Sequence, residues 1–151
     1  APVVHAQDPA VKIGYVNTER ILRDAPPAKA AQQKLEKEFG VRDKELQSLA
    51  RKLKETGELL DRDSAVMKPA ELRVKQRDFA DMEKDYQRRQ REFREDLSQR
   101  RNEELAQVLE KANQAIKAIA EAENYDIIVQ EAVVTSKRID ITEQIIKALS
   151  N

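Results

Sequence analysis

Residues 125–149 read YDIIVQEAVVTSKRIDITEQIIKAL, and this stretch decides the fold. Ile127 and Val129 alternate with Ile128 and Gln130, and Val133, Val134 and Ile139 continue the β-branched run. Branched side chains arranged this way favour strands, because they pack well on a pleated surface. Asp140, with Glu143 three residues on, has the spacing of a capping box. Ile141, Ile145, Ala148 and Leu149 then recur at helical spacing. The segment predicts strand, strand, helix. Short strands with so little cover are marginal alone and leave open edges, so they need a partner.

That partner lies at the other end of the chain. In VKIGYVN, residues 11–17, Val11, Ile13 and Tyr15 point one way and Lys12 and Gly14 the other. Asn17 or Thr18 can cap a short helix carrying Ile21 and Leu22. Pro26 pushes Ala25 out of helical geometry, and Pro27 can occupy the first turn of a new helix. The two ends predict one split body, residues 11–27 and 124–151, with about three strands and two short helices. Joining the strands of several copies removes the open edges, so the body is expected to be an oligomerisation core. Val11, Ile13, Tyr15, Ile127, Val129 and Val133 are its candidate contacts.

Between the ends, residues 28–123 carry a helical stripe in two runs. Leu35 and Leu49 lie two heptads apart, and Phe39, Leu46, Leu53, Leu60 and Met67 form a seven-residue series. The pattern lapses at DRDSAVMKP, which predicts a tip near residues 62–69, and Pro69 then starts a second helix. Its stripe includes Leu72, Phe79, Tyr86, Phe93, Leu97, Val108 and Ile119, and Tyr86, Leu97, Val108 and Ile119 follow one another at eleven-residue steps, close to the spacing of a straight helix. In an antiparallel hairpin, facing positions share one constant sum. Leu35 with Leu97, Phe39 with Phe93, Leu46 with Tyr86, Leu53 with Phe79 and Leu60 with Leu72 all fall on the same constant. These ten residues predict the seam of a long antiparallel coiled coil. Acid-then-base pairs at i,i+4 support each helix locally: Glu38–Arg42, Glu58–Arg62, Glu71–Lys75, Asp85–Arg89 and Asp96–Arg100. The fold class is α+β: a helical hairpin arm inserted in a small β-rich body.

Composition narrows the chemistry. Charged residues make up 37% of the 151 residues and aromatics 4%, which suits a buried stripe better than a broad core. Lys and Arg total 28, as do Asp and Glu, so no bulk field argues for nucleic acid. Without cysteine, and with His5 as the only histidine, thiolate chemistry, triads and most transition-metal sites are not expected. Gly14, Gly40 and Gly57 are scattered and make no phosphate-cradling loop. No catalytic residue, cofactor or metal is assigned, and the chain is read as a non-enzyme. No apolar run reaches the length of a spanning helix. Residues 1–10 read as a disordered tail. Within it, VHA before Gln7 resembles the end of a secretory cleavage site, so residues 1–6 read alternatively as a signal-peptide remnant.

Three further features bear on function. Arg88, Arg89, Arg91, Arg94, Arg100 and Arg101 form the most basic run, read either as a contact for nucleic acid, or as a weak one for lipopolysaccharide or a membrane surface, or as a solvated face interleaved with Glu92, Glu95 and Asp96. The interleaving favours the solvated face. Gly40 is a candidate hinge, while Gly57 reads as a tolerated cost on an exposed face. Val41, Leu59, Val66, Met67 and Val74 lie off the seam and are candidate contacts for a non-native client.

KIGYVN, the charged hairpin, YDIIVQEAVV and DITEQIIKAL together resemble the Skp (OmpH-like) family of periplasmic chaperones. The resemblance covers nearly all of the chain after Ala10, and its specific parts are the two ends. It implies a jellyfish-like homotrimer with a β-body and three helical arms. It also implies a periplasmic, ATP-independent holdase that takes unfolded outer-membrane β-barrel proteins between its arms. Two other readings fit the hairpin: a cytosolic prefoldin-like chaperone, and a coiled-coil scaffold with no client.

Overall fold

The computed structural model describes residues 10–150. The tail reading, including His5 and the cleavage-site resemblance, lies outside the described residues. The described chain is mostly helical with one pair of strands. In order it runs β1 (Ile13–Tyr15), α1 (Thr18–Asp24), α2 (Pro26–Asp63), α3 (Pro69–Ala122), β2 (Ile127–Val129) and α4 (Thr142–Ala148).

Each boundary has a local cause. Asn17 caps α1: its side-chain oxygen accepts from the Arg20 N–H at 3.0 Å. Ala25 leaves helical geometry with ψ of 141°, as a residue before proline must, and Pro26 opens α2. α3 ends in a left-handed Asn124, φ 57°, and the Tyr125 N–H closes back on the Ala120 carbonyl at 3.0 Å. That is a Schellman-type stop, and asparagine tolerates the left-handed conformation better than most residues.

The chain divides into two compact units. One holds the residues up to Gln32 together with Glu104 onward, and the other is Gln33–Glu103. The division falls inside both long helices. Ala28 of α2 and Val108 and Ala112 of α3 are buried in one cluster with Val16, Ile21, Ala25, Ile141 and Ile145. The start of α2 and the last turns of α3 therefore cover the strands and short helices, a task that residues 11–27 and 124–151 could not complete alone.

In this first unit β1 pairs with β2 in parallel, Ile13 opposite Ile127 and Tyr15 opposite Val129. The other edge of β1 meets a single residue of the returning chain. Tyr15 donates to the Ile139 carbonyl at 2.7 Å and accepts from the Ile141 N–H at 2.8 Å. The sequence predicts a third strand around Val133–Ile139; the structure corrects this. A turn at 136–140 brings only Asp140 into register, and Val133 and Val134 join no strand.

The predicted capping box is also not closed. The Asp140 carboxylate accepts from the Thr142 N–H at 2.9 Å and from its hydroxyl at 2.5 Å, and Ile141 stands at the cap position of α4. Glu143 turns instead to Arg20 of α1, a full ionic partner that outcompetes the backbone amide. Fully buried Thr142 accepts in turn from the Asn17 N–H at 2.9 Å, so one hydroxyl ties the starts of α1 and α4 together.

In the second unit α2 and α3 pack side by side in opposite directions. Phe39 meets Phe93 edge to face with ring centroids 5.7 Å apart, and Gly57 lies against Phe79. Two of the expected i,i+4 pairs exchange partners here. Glu38 pairs with Arg100 at 3.1 Å and Arg42 with Asp96 at 2.9 Å, both across the helices. Glu71–Lys75 and Asp85–Arg89 stay within their helix. Arg42 also sits 5.6 Å from both phenylalanine rings, an arrangement that favours its cation. These crossed pairs close over the one seam aromatic that is buried, Phe39.

Candidate interaction surfaces

The first unit presents a two-faced strand pair. Alternation puts Gly14 and Val16 on the inner face, where Val16 is fully buried. Gly14 is required there: a Cβ would lie 3.0 Å from the Tyr125 ring, which Lys12 caps from 4.3 Å. The outer face carries Val11, Ile13 and Ile127, at 68%, 42% and 49% exposure, with Tyr15 and Val129 half-buried beside them. Val133, fully exposed, and Val134 extend the apolar area along the chain after β2. All six predicted body contacts therefore lie outside the unit's own core. The residues that build that core, Val16, Ile21, Thr142 and Ile145, are different ones. β2 also has an unpaired edge. Ile127 and Val129 bond to β1, so in a parallel ladder Ile128 directs its backbone groups the other way.

In the second unit the ten seam residues are at least half-buried among mostly exposed neighbours. Of the five off-seam residues, Val41, Leu59, Val66 and Val74 are exposed, while Met67 is half-buried in the turn. α2 runs unbroken through Gly40, and a Cβ there would meet nothing within 4 Å. Gly57 corrects the sequence reading. It is half-buried, and a Cβ would come within 3.3 Å of Phe79, so the missing side chain admits the ring. A glycine inside a helical heptad marks a close approach at Gly57 and none at Gly40, and the spacing alone does not tell the two apart.

Half of the six arginines in the basic run are ion-paired. Arg88 bridges Asp85 and Glu92, Arg89 pairs with Asp85, and Arg100 pairs with Glu38 and Glu103. The hydrogen bond to Asp85, with the nearby Glu92 charge, holds the Arg88 guanidinium above its ordinary pKa. In the first unit, a hydrogen bond from Arg23 holds the exposed Asp24 carboxylate below its ordinary value. These are solvated charge pairs, and Arg91, Arg94 and Arg101 are exposed on a helix where Glu92, Glu95 and Asp96 interleave with the basic run. Among the described residues no His, Cys, Asp and Glu group could hold a metal ion, and no helix is long and apolar enough to cross a membrane.

Residues 12–149 match the family model "Outer membrane protein (OmpH-like)". The chain is 29% identical over 140 residues to chaperone protein Skp of Pectobacterium atrosepticum, covering 91% of this chain and 85% of that protein. It is 31% identical over 120 residues to chaperone protein Skp of Photorhabdus luminescens, covering 80% and 73%. Among solved structures, an OmpH-like protein from Caulobacter crescentus CB15 superimposes with a TM-score of 0.79, over 96% of this chain and 88% of that one. At 16% identity that likeness shows a shared fold.

Proposed function

This chain belongs to the OmpH-like outer membrane protein family, and on that premise we propose that it is a periplasmic holdase for unfolded outer-membrane β-barrel proteins. The observation that carries the reading is the match to chaperones named Skp along most of the chain. Three copies join through the outer strand face of the first unit, with Val11, Ile13, Tyr15, Ile127, Val129 and Val133 as contacts. The apolar exposure of that face and the unpaired edge of β2 support this, since joining strands buries both. The paired stretches of α2 and α3 form a coiled-coil hairpin arm, and a client is held among three such arms.

Holding needs no fuel. An unfolded chain enclosed among the arms is kept from other unfolded chains, and many weak contacts give affinity without one dominant hot spot. Release follows when the client reaches a site where folding is more favourable. Because the chain is neutral and half of the basic run is ion-paired, short-range contacts carry the binding, and bulk attraction contributes little. Two measurements on the full chain test the reading. Light scattering should give three times the monomer mass at micromolar concentration. Dilution of a urea-unfolded outer-membrane β-barrel protein into the chaperone should leave it soluble without ATP. A scaffold with no client would leave aggregation unchanged, and a monomeric mass would remove the basis for enclosure.

A further inference from the structure

Of the four exposed large apolar residues in the second unit, Val66 lies in the turn at the tip, and Val41, Leu59 and Val74 fall on one side of the helix pair. Val41 and Leu59 are eighteen residues apart, five full turns at about 3.6 residues each, so they share one line along α2. Ser48 and Lys52 lie close to that line and, with Val41 and Leu49, line a groove whose far wall is Asp85 and Arg89 of α3. Val74 is eleven residues before Asp85, about three turns, so it too lies on the groove side. On the opposite side α2 shows Asp43, Gln47, Lys54 and Glu58, and α3 shows Gln76, Glu83 and Gln87, all exposed and polar.

The groove exists because one layer of the hairpin lacks an apolar match. Leu49 of α2 is half-buried, but the α3 residues across from it are Asp85 and Arg89, which are occupied with each other. Its floor is therefore apolar and its far wall is a fixed ion pair. Lys44 and Lys52 stand at the rim without an ion-pair partner among the described residues, as does a single acid, Glu45.

Resting on the holdase reading, we propose that this groove is the arm's binding face, and that it takes an extended segment of the unfolded client with apolar side chains alternating along it. The spacing fits that occupant. Val41 and Leu49 are eight helical residues apart, about 12 Å. In an extended chain, side chains four residues apart point the same way and lie about 13 Å apart. Lys44 and Lys52 repeat the same eight-residue step and favour a segment whose other side chains are acidic or neutral. A membrane β-strand, apolar at alternate positions, has this pattern.

Site-directed photo-cross-linking on the full chain tests this, with a urea-unfolded outer-membrane β-barrel protein as probe. A photoreactive residue at Val41 or Ser48 should capture the client at least about fivefold more than one at Gln47 or Lys54 on the opposite side. A V41D/L59D double variant, changing only exposed side chains, should weaken client binding by about tenfold with assembly mass and helicity unchanged. Equal capture from both sides, with aggregation still suppressed, overturns the groove and leaves the holdase reading standing. No capture anywhere together with no suppression overturns both.

Discussion

Gly40 and Gly57 sit in the same helix, and the same substitution should affect them differently. Alanine is better than glycine in a helix interior by about 0.8–1.0 kcal/mol. At Gly40 nothing lies within 4 Å of the new methyl, so G40A should gain nearly all of that. At Gly57 the methyl would stand 3.3 Å from the Phe79 Cζ and 3.5 Å from its Cε2. The ring must withdraw by a few tenths of an ångström from a seam position, and overpacking of this kind costs about 1 kcal/mol at the mild end. The two effects at Gly57 then nearly cancel. Urea unfolding followed by circular dichroism, at one fixed protein concentration because assembly adds stability, reads the difference. With a slope of about 1–3 kcal/mol per molar urea, G40A should raise the midpoint by about 0.3–1 M and G57A should leave it almost unmoved. Shortening the ring with F79L should release the gain at Gly57, so G57A measured in that background should behave like G40A. Equal midpoint shifts for the two glycines with Phe79 intact would mean that the Phe79 ring does not set the difference between them. Hydrogen exchange adds a check on the hinge reading of Gly40: G40A should slow exchange of the flanking amides if the glycine lets the helix open there.

Other expectations follow from single contacts. I127D places a charge on the outer strand face and should lower the mass seen by light scattering, while far-UV circular dichroism stays strongly helical. T142V removes a buried hydroxyl that bonds both the Asn17 N–H and Asp140, and should cost about 1–3 kcal/mol in denaturant unfolding. A double-mutant cycle on Arg42 and Asp96 should give a coupling of about 0.2–1 kcal/mol that shrinks in high salt, as expected for a half-exposed pair. A coupling of zero would mean that the cation–π contact with Phe39 and Phe93, and not the carboxylate, holds Arg42 in place.

The helical hairpin pattern was legible because it is repeated. Heptads along two runs, a lapse at Asp61–Pro69 and matched large residues on either side give the same answer many times over. Helix starts at Asn17 or Thr18, at Pro27 and at Pro69 were legible because proline and short polar side chains act through local backbone geometry; Asn17 proves to be the cap and α2 opens one residue earlier, at Pro26. That a strand from each end would pair was legible, since short strands on either side of a helical middle need partners, and β1 does pair with β2.

Packing made the choice among equivalent partners. Alternation in β1 defines two faces, but Gly14 and Val16 are buried and Ile13 is not, because Tyr125 packs where Gly14 leaves room. A third strand was plausible from β-branched composition, yet the turn at 136–140 lets only Asp140 reach β1. Glu38 and Arg42 are correctly spaced to pair with each other, as are Asp96 and Arg100. Each instead faces a second opposite charge across the helices, and the Phe39–Phe93 packing brings that one closer. The periods, the breaks and the inventory of charges are written along the chain and can be read there. Which face is buried and which charges meet depends on side chains far apart in sequence, and packing alone selects among them.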